Sequence, residues 1–466
     1  MSITLQDFAS RFAELAWGPW LLVLLLGGGA YFLLLSRFVP FRYLGHGLAL
    51  LRGKYEHSSD PGQISHFQAL SAALAGTIGL GNIGGVALAI AIGGPGAIFW
   101  MWVTAILGIA TKFFTCSLAV MYRHTDANGQ THGGPMYVIT EGLGPRWRPL
   151  AIMFALFGMI GALPVFQTNQ LVQILREVVI VDAVLATTSS NLPRDDLLLG
   201  INLGMGVVIA AVTSAVIFGG IARIAKFAVA LVPSMSALYL GMTLTCILSN
   251  LDEVPAALSL IVTDAFSAKA AAGGGLLSMI LYGVQRGAFS NEAGIGTEAL
   301  AHGAAKTSEP IREGLVAMLG PIIDTLLICT ATAIVILLAG NWHNNTVDGI
   351  TLTAEAFATL LGTAGTVGLL ACVVCFALTT IFTYSFYGAQ CARFLLGNKA
   401  PRYYRMIYVS FVLVAAVISL KTAIGLIDGA YALMAIPTMI STIVLAPKVK
   451  QAADRYFASL NRTSVG

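Results

Sequence analysis

The sequence predicts an all-α polytopic membrane protein of about 11 transmembrane helices, two five-helix halves of opposite membrane orientation preceded by one extra helix. Composition is the first observation: hydrophobic residues make up 57% of the 466 residues, charged residues 10%, and mean hydropathy is +0.82, far outside the range of a soluble domain. The second is that the apolar stretches are continuous runs of about 20 residues with no alternation of period two, which specifies helices and excludes an outer-membrane barrel. The third is a glycine-interrupted span that opens each half, GTIGLGN at 76–82 and RGAFSNEAGIG at 286–296.

Taken in order, the spans fall at 17–36, 67–93, 96–122, 149–178, 199–219, 224–249, 274–304, 314–340, 366–395, 403–420 and 422–446. The first is read as a retained helix: Asp7 and Glu14 outnumber Arg11 ahead of it, and no A-x-A site follows, so it lacks the marks of a cleaved signal. With the spans drawn, 19 Lys and Arg lie on one side and five on the other (Arg11, Arg176, Arg194, Lys269 and Lys421). The positive-inside rule therefore places the N-terminus outside and the C-terminus in the cytoplasm. Ten spans remain after the first. Five is an odd number, so the second half enters the membrane from the side opposite to the first. The expected organisation is an extra helix and loop at 1–60, repeats at 61–250 and 251–450, and a tail at 451–466. Two connections, LTAEAFATLLG within 341–365 and GGPMYVITEGLG at 133–144, read as short interfacial helices, either gates or inert.

The run at 74–96 tolerates helix poorly, because it holds Gly76, Gly79, Gly81, Gly84 and Gly85 together with Thr77 and Asn82. Irregular backbone at membrane depth is acceptable only where it lines a cavity. Glycines also let helices pack closely, but the polar side chains in the same run favour a broken helix. Paired breaks in corresponding positions of two repeats mark the substrate site of a secondary transporter, here between the second and seventh spans. A half-helix beginning at a break aims N–H groups and a positive dipole end at a carboxylate, while the half ending there offers carbonyls to a cation or an ammonium group. An amino acid with Na⁺ suits both ends.

Other motifs resolve more plainly. Gly79, Gly81 and Gly84 spell G-x-G-x-x-G, but no strand precedes them and no acidic residue follows at the required distance, so no dinucleotide site is indicated. Cys372 and Cys375 spell C-x-x-C inside one apolar helix, where free thiols act as small hydrophobes. Arg286, Glu292, Glu298 and His302 share the seventh span and Asp324 lies in the eighth; each needs a partner, and Arg286 is expected to pair with Glu292 or Asp324. Lys112 and Glu141 either serve a gate or snorkel. Gln167, Asn169 and Gln170 follow Pro164, and Thr379, Thr380 and Thr383 share the ninth span; both sets also have structural uses, as interhelical glue and as self-bonded helical hydroxyls. The chain has no H-E-x-x-H, G-x-S-x-G or P-loop, so an enzyme is the weakest class. A passive channel is less suited to paired breaks around a closed site. Proton coupling through Glu292, Asp324 and His302 is the alternative to Na⁺ within the symporter class.

The blocks GTIGLGNIGGVALAIAIGGPGAIFWMW at 76–102, HGGPMYVI at 132–139, RGAFSNEAGIG at 286–296 and PIIDTLLICTATAIVIL at 321–337 resemble the alanine or glycine:cation symporter family over nearly the whole chain. The resemblance implies a LeuT-like 5+5 inverted repeat with one extra helix, in a bacterial plasma (inner) membrane. It also implies uptake of small neutral amino acids coupled to Na⁺, with no organic cofactor, no nucleic-acid partner and no enzymatic step. By position it implies a substrate pocket of Thr77, Gly79, Gly81, Asn82, Gln167, Phe289 and Tyr384, and a Na⁺ site of Gly76, Ile78, Thr379 and Thr380. Three departures stand out: Tyr384 where the family usually has Trp, Ala389 where an acidic residue is common, and TEALAH after NEAGIG. The smaller, more polar Tyr384 leads us to expect that serine is accepted beside alanine and glycine.

Overall fold

The computed structural model describes residues 5–55, 60–126, 129–180, 194–267, 275–343 and 349–463. Lys269 and the side chains of Arg194 and Arg462, used in the charge count, lie outside the described set. The chain starts with an amphipathic helix, α1 (Leu5–Ala16), bent by 49° against α2 (Pro19–Leu35). The bend falls at Gly18 and Pro19, where proline removes a donor and glycine relaxes the backbone.

The first repeat opens with α3 (His66–Thr77) and α4 (Gly81–Gly93), which meet at 51°. A capping box starts α3: Ser65 Oγ accepts from Gln68 N at 3.2 Å, and Gln68 Oε1 accepts from Ser65 N at 2.9 Å. The helix ends where Ile78 leaves helical geometry at φ −74°, ψ 89°. Then come α5 (Gly96–Met121), α6 (Pro145–Val178), α7 (Asp196–Ile217) and α8 (Gly220–Ser249). The second repeat has a second broken rod, α10 (Gly275–Asn291) and α11 (Glu298–His302), preceded by a short apolar helix, α9 (Val254–Ala265). It continues through α12 (Pro310–Ala339), α13 (Ile350–Leu396), α14 (Ala400–Val417) and α15 (Leu420–Leu460).

Among the described residues, seven helices are long and apolar enough to cross a membrane, and nine if each of two bent pairs counts as one span. The two remaining expected spans are present as helices. One is the α10–α11 pair, interrupted over 292–297 and carrying Arg286 and Glu298; the other is α14, which has Arg402 and Arg405 in its first turns. The first is too short on either side of its break, and the arginines of the second make it less apolar than a full span. Gly362, at φ 60° and ψ −145°, leaves helical geometry inside α13 and divides it, so the amphipathic piece before it is a short helix of its own ahead of the ninth span, as expected. The GGPMYVITEGLG piece forms a short helix, Pro135–Tyr137 continued by a π-helical stretch Val138–Leu143, with Met136 and Ile139 fully buried, so it packs against protein rather than headgroups. A two-residue ladder, His124 opposite His132 and Thr125 opposite Thr131, closes the connection leading to it.

Candidate functional site

The two breaks lie side by side. Where α3 stops, Gly79 N donates to Asn82 Oδ1 at 2.9 Å, so the first residue of the gap is tied back to the start of α4. The amide of Asn82 then reaches α12, donating to Asp324 Oδ1 at 2.5 Å, while Ser290 of α10 donates to Asp324 Oδ2 at 2.8 Å. Thr325 adds a third donor to the carboxylate, also on Oδ2, at 2.7 Å. Asp324 sits in a π-helical stretch, Ile322–Cys329, whose wider turn is a common device at functional sites. One fully buried carboxylate thus joins both discontinuous rods to α12.

The second break is built around Glu292. Its φ of 56° is left-handed, a conformation that costs a non-glycine residue about 1–2 kcal/mol. Gly294 and Gly296 follow with φ of 85° and 96°. The carboxylate is fully buried and accepts from Thr297 Oγ1 at 2.5 Å and from Tyr384 Oη at 2.5 Å; Tyr431 Oη in turn donates to Tyr384 Oη at 2.6 Å. This relay of α13 and α15 onto the break offsets the strain.

The predicted residues assemble around these two points. A methyl group on Gly79 would stand 2.6 Å from Thr380 Oγ1, and one on Gly81 would stand 3.1 Å from the ring of Phe289, so glycine admits both close approaches. Gly76 faces Tyr387 and Thr383 of α13. Phe289 stacks edge-on with Phe166 at 5.2 Å and lies 5.6 Å from Tyr431. Gln167, next to Phe166, is buried with Oε1 unpartnered. Thr380 Oγ1 bonds to Phe376 O at 2.9 Å while facing Gly79; Thr379 turns instead to Cys375 O at 2.9 Å and to Met235 of α8. Three hydroxyl oxygens around this region, on Thr77, Thr383 and Tyr387, are buried without a partner. Unpaired buried oxygens are costly, and their clustering by a helix terminus fits a hard monovalent cation.

Arg286 pairs with Asp428 of α15 rather than with Glu292 or Asp324. The reason is position: Arg286 lies a turn and a half before the break, level with Asp428, which also accepts from Gln285 at 2.9 Å. The guanidinium lies 5.2 Å over the Phe289 ring, covering the aromatic wall at this end. Sequence reasoning passed over Asp428, Tyr431 and Ser290. Asp428 was detectable in principle, as an acid inside an apolar run.

The sodium:alanine symporter family profile matches residues 2–464. The chain belongs to this family. The sodium/alanine symporter AgcS of Methanococcus maripaludis is 40% identical over 92% of this chain and 92% of its own length. An uncharacterized transporter of Haemophilus influenzae is 40% identical over 98% of this chain and 97% of its own. The probable sodium/glutamine symporter GlnT of Bacillus subtilis is 35% identical over 95% and 89%. In fold, this sodium:alanine symporter family member is similar to MhsT, crystallised with L-phenylalanine, at a TM-score of 0.59 and 12% identity, covering 84% of this chain and 98% of that one. The architecture is the LeuT-like inverted repeat preceded by one extra helix.

Proposed function

We propose that the protein carries small neutral amino acids, alanine, glycine and serine, into the cell together with Na⁺ by alternating access. The observation that carries this reading is the pairing of two interrupted rods across Asn82, Asp324 and Ser290. The start of α4 supplies the Gly81 amide for the substrate carboxylate, joined by Asn82 N once it leaves its 3.2 Å bond to Gly79 O, and Phe289, Gln167 and Tyr384 border the side-chain space. Thr380 is an oxygen ligand suited to Na⁺, with the carbonyls of Gly76 and Ile78 where α3 ends; Thr77, assigned to the substrate pocket by resemblance, also has a buried unpartnered hydroxyl at this helix end and can serve the ion, and Thr379 would need to rotate its hydroxyl from Cys375 O to join them. Because Tyr384 spends its hydroxyl on Glu292, the space left by the absent indole is lined by a ring edge, room for one extra hydroxyl in the substrate. The charge bias supports an N-terminus outside and a C-terminus in the cytoplasm of a bacterial inner membrane, which makes the His66 end of the site the cytoplasmic one.

The test is uptake of labelled alanine into proteoliposomes, with Na⁺ replaced by choline at fixed pH and with each of the twenty amino acids as competitor. Uptake that collapses in choline, with glycine and serine competing, supports the proposal. Uptake that persists in choline but follows a pH gradient assigns the coupling to protons, and loss of competition by serine refutes the role given to Tyr384.

A further inference from the structure

At the His66 end, beneath the substrate site, a second buried charge cluster ties the two broken rods together. Glu313, in the first turns of α12, receives His302 Nδ1 at 2.5 Å on Oε1 and His66 Nδ1 on Oε2. His66 is the first residue of α3 and His302 the last of α11, so a single carboxylate clamps the ends of both rods. All three side chains are at most 1% exposed. A backbone strap lies over them: Gln63 N donates to Ala304 O at 2.8 Å, Lys306 N to Ile64 O at 2.7 Å, and Arg123 Nη1 to Ala305 O at 3.0 Å.

We propose that this cluster is a proton-binding latch: the closed state of the His66 end holds one proton on His66–Glu313–His302, and opening that end releases it. The reading rests on the carrier function proposed above. Two neutral imidazoles donating to a carboxylate leave a net negative charge in a dry interior, where an unpaired charge costs far more than one neutralised in place. Around the cluster, α5 supplies Lys112 and Cys116, the connection just after α5 supplies Arg123, α11 supplies Glu298, and the segment ahead of α3 supplies Asp60. Arg123 spends its guanidinium on the carbonyls of Ala305 and Thr307, and Glu298 takes Thr115 at 3.1 Å, so among the described residues the ion-pair partners of Glu313 are the two imidazoles. His302 Nε2 is buried without a partner, so a second N–H on that ring would go unpaired. Separation of the rods exposes all three groups to water, where a lone imidazolium at neutral pH gives up its proton. By linkage, protons favour the closed end and alkaline cytoplasmic pH favours the open one, by up to about tenfold in the closed-to-open ratio per pH unit.

The experiment reads opening directly. Ala69, fully buried one turn along α3 from His66, is replaced by cysteine in the full-length protein in proteoliposomes. Maleimide labelling of that thiol is followed by peptide mass spectrometry from pH 6 to 8.5 and divided by the rate in denaturant at each pH. Labelling should rise by fivefold or more toward pH 8.5. His66→Gln keeps a donor to Glu313 but no titrating ring, and should vary less than twofold; Glu313→Gln should label fast at every pH. A flat profile in the parent, an unchanged profile in His66→Gln, or opening on the acid side overturns the latch. If Glu313→Gln fails to fold, the parent and His66→Gln profiles still decide. Na⁺-dependent alanine uptake is scored separately in the same vesicles: its absence with a normal labelling profile rejects the transport reading and leaves the latch standing.

Discussion

Single atoms decide what the first break can hold. A methyl group at Gly79 meets Thr380 Oγ1 at 2.6 Å, too near for any carbon, so Gly79→Ala pushes α13 from the gap or rotates Thr380 away. Na⁺-dependent uptake should fall more than tenfold while size-exclusion behaviour stays normal; retained uptake would remove this contact from the site. Thr380→Val keeps the shape of the side chain and removes one oxygen. It should raise the Na⁺ concentration for half-maximal uptake several-fold without reordering the competitor series. Tyr384→Phe takes the 2.5 Å donor from Glu292 and leaves the Tyr431 hydroxyl only its long 3.5 Å contact with the same carboxylate, a loss of roughly 1.5–3 kcal/mol for a bond to a charged group, read as a lower Tm in detergent. The residues of the first break were legible in sequence, because glycines and an asparagine inside an apolar run have few other uses. The partner of Arg286 was not, since Asp428 lies 142 residues away and only folding brings the last helix level with it.

Elements were legible wherever their signal was length and apolarity. The interrupted rods, the long helices and the odd number of spans per half all follow from one-dimensional pattern, and the structure places them within a few residues. Helices α1 and α9 were missed because twelve residues are too few to cross a bilayer, and the amphipathic pattern LQDFASRFAELA becomes informative only beside its receptor. That receptor is α15, where a side chain on Gly425 would meet Ala9 O at 2.6 Å and one on Gly429 would meet the Phe12 ring at 2.2 Å. Gly429→Leu should therefore lift α1 from the bundle and lower Tm by several degrees, with protease cleavage appearing before Trp17. The hairpin between α5 and α6 responds to pH. Burial holds His132 below its ordinary pKa of 6.5, with Asp126 opposing and Arg393 adding to the shift. Because the folded hairpin keeps this ring neutral while the unfolded one protonates it, stability falls as pH drops through 6.5 and recovers above it. Thermal unfolding followed between pH 8 and 5.5 should show this decline, and His132→Asn should flatten it. Its acid-side sign is opposite to that of the Glu313 latch, so the two are separable.

Across the whole molecule, the proposed substrate site lies between two buried charge clusters, which this reading makes the closures of opposite ends. Arg286 with Asp428 seals one; His66, Glu313 and His302 seal the other. The carrier proposed here must open them one at a time, and the two seals are unequally made. In the first, Arg286 Nη1 and Asp428 Oδ1 are both buried without partners, so a strong pair is only half satisfied. A half-satisfied buried pair lowers the cost of separation, because water recovers bonds that the closed form forgoes. Asp428→Asn removes the counter-charge and leaves the guanidinium over Phe289, a change of about 3–5 kcal/mol against the closed form. The variant should favour the state open at the Arg286 end. Uptake of labelled alanine driven by a Na⁺ gradient should then fall by tenfold or more, while equilibrium binding of alanine in detergent stays within about threefold of the parent, since none of the residues at the breaks is altered. Equal losses in both measurements would place Asp428 in the pocket itself, and an unchanged transport rate would show that this pair seals nothing.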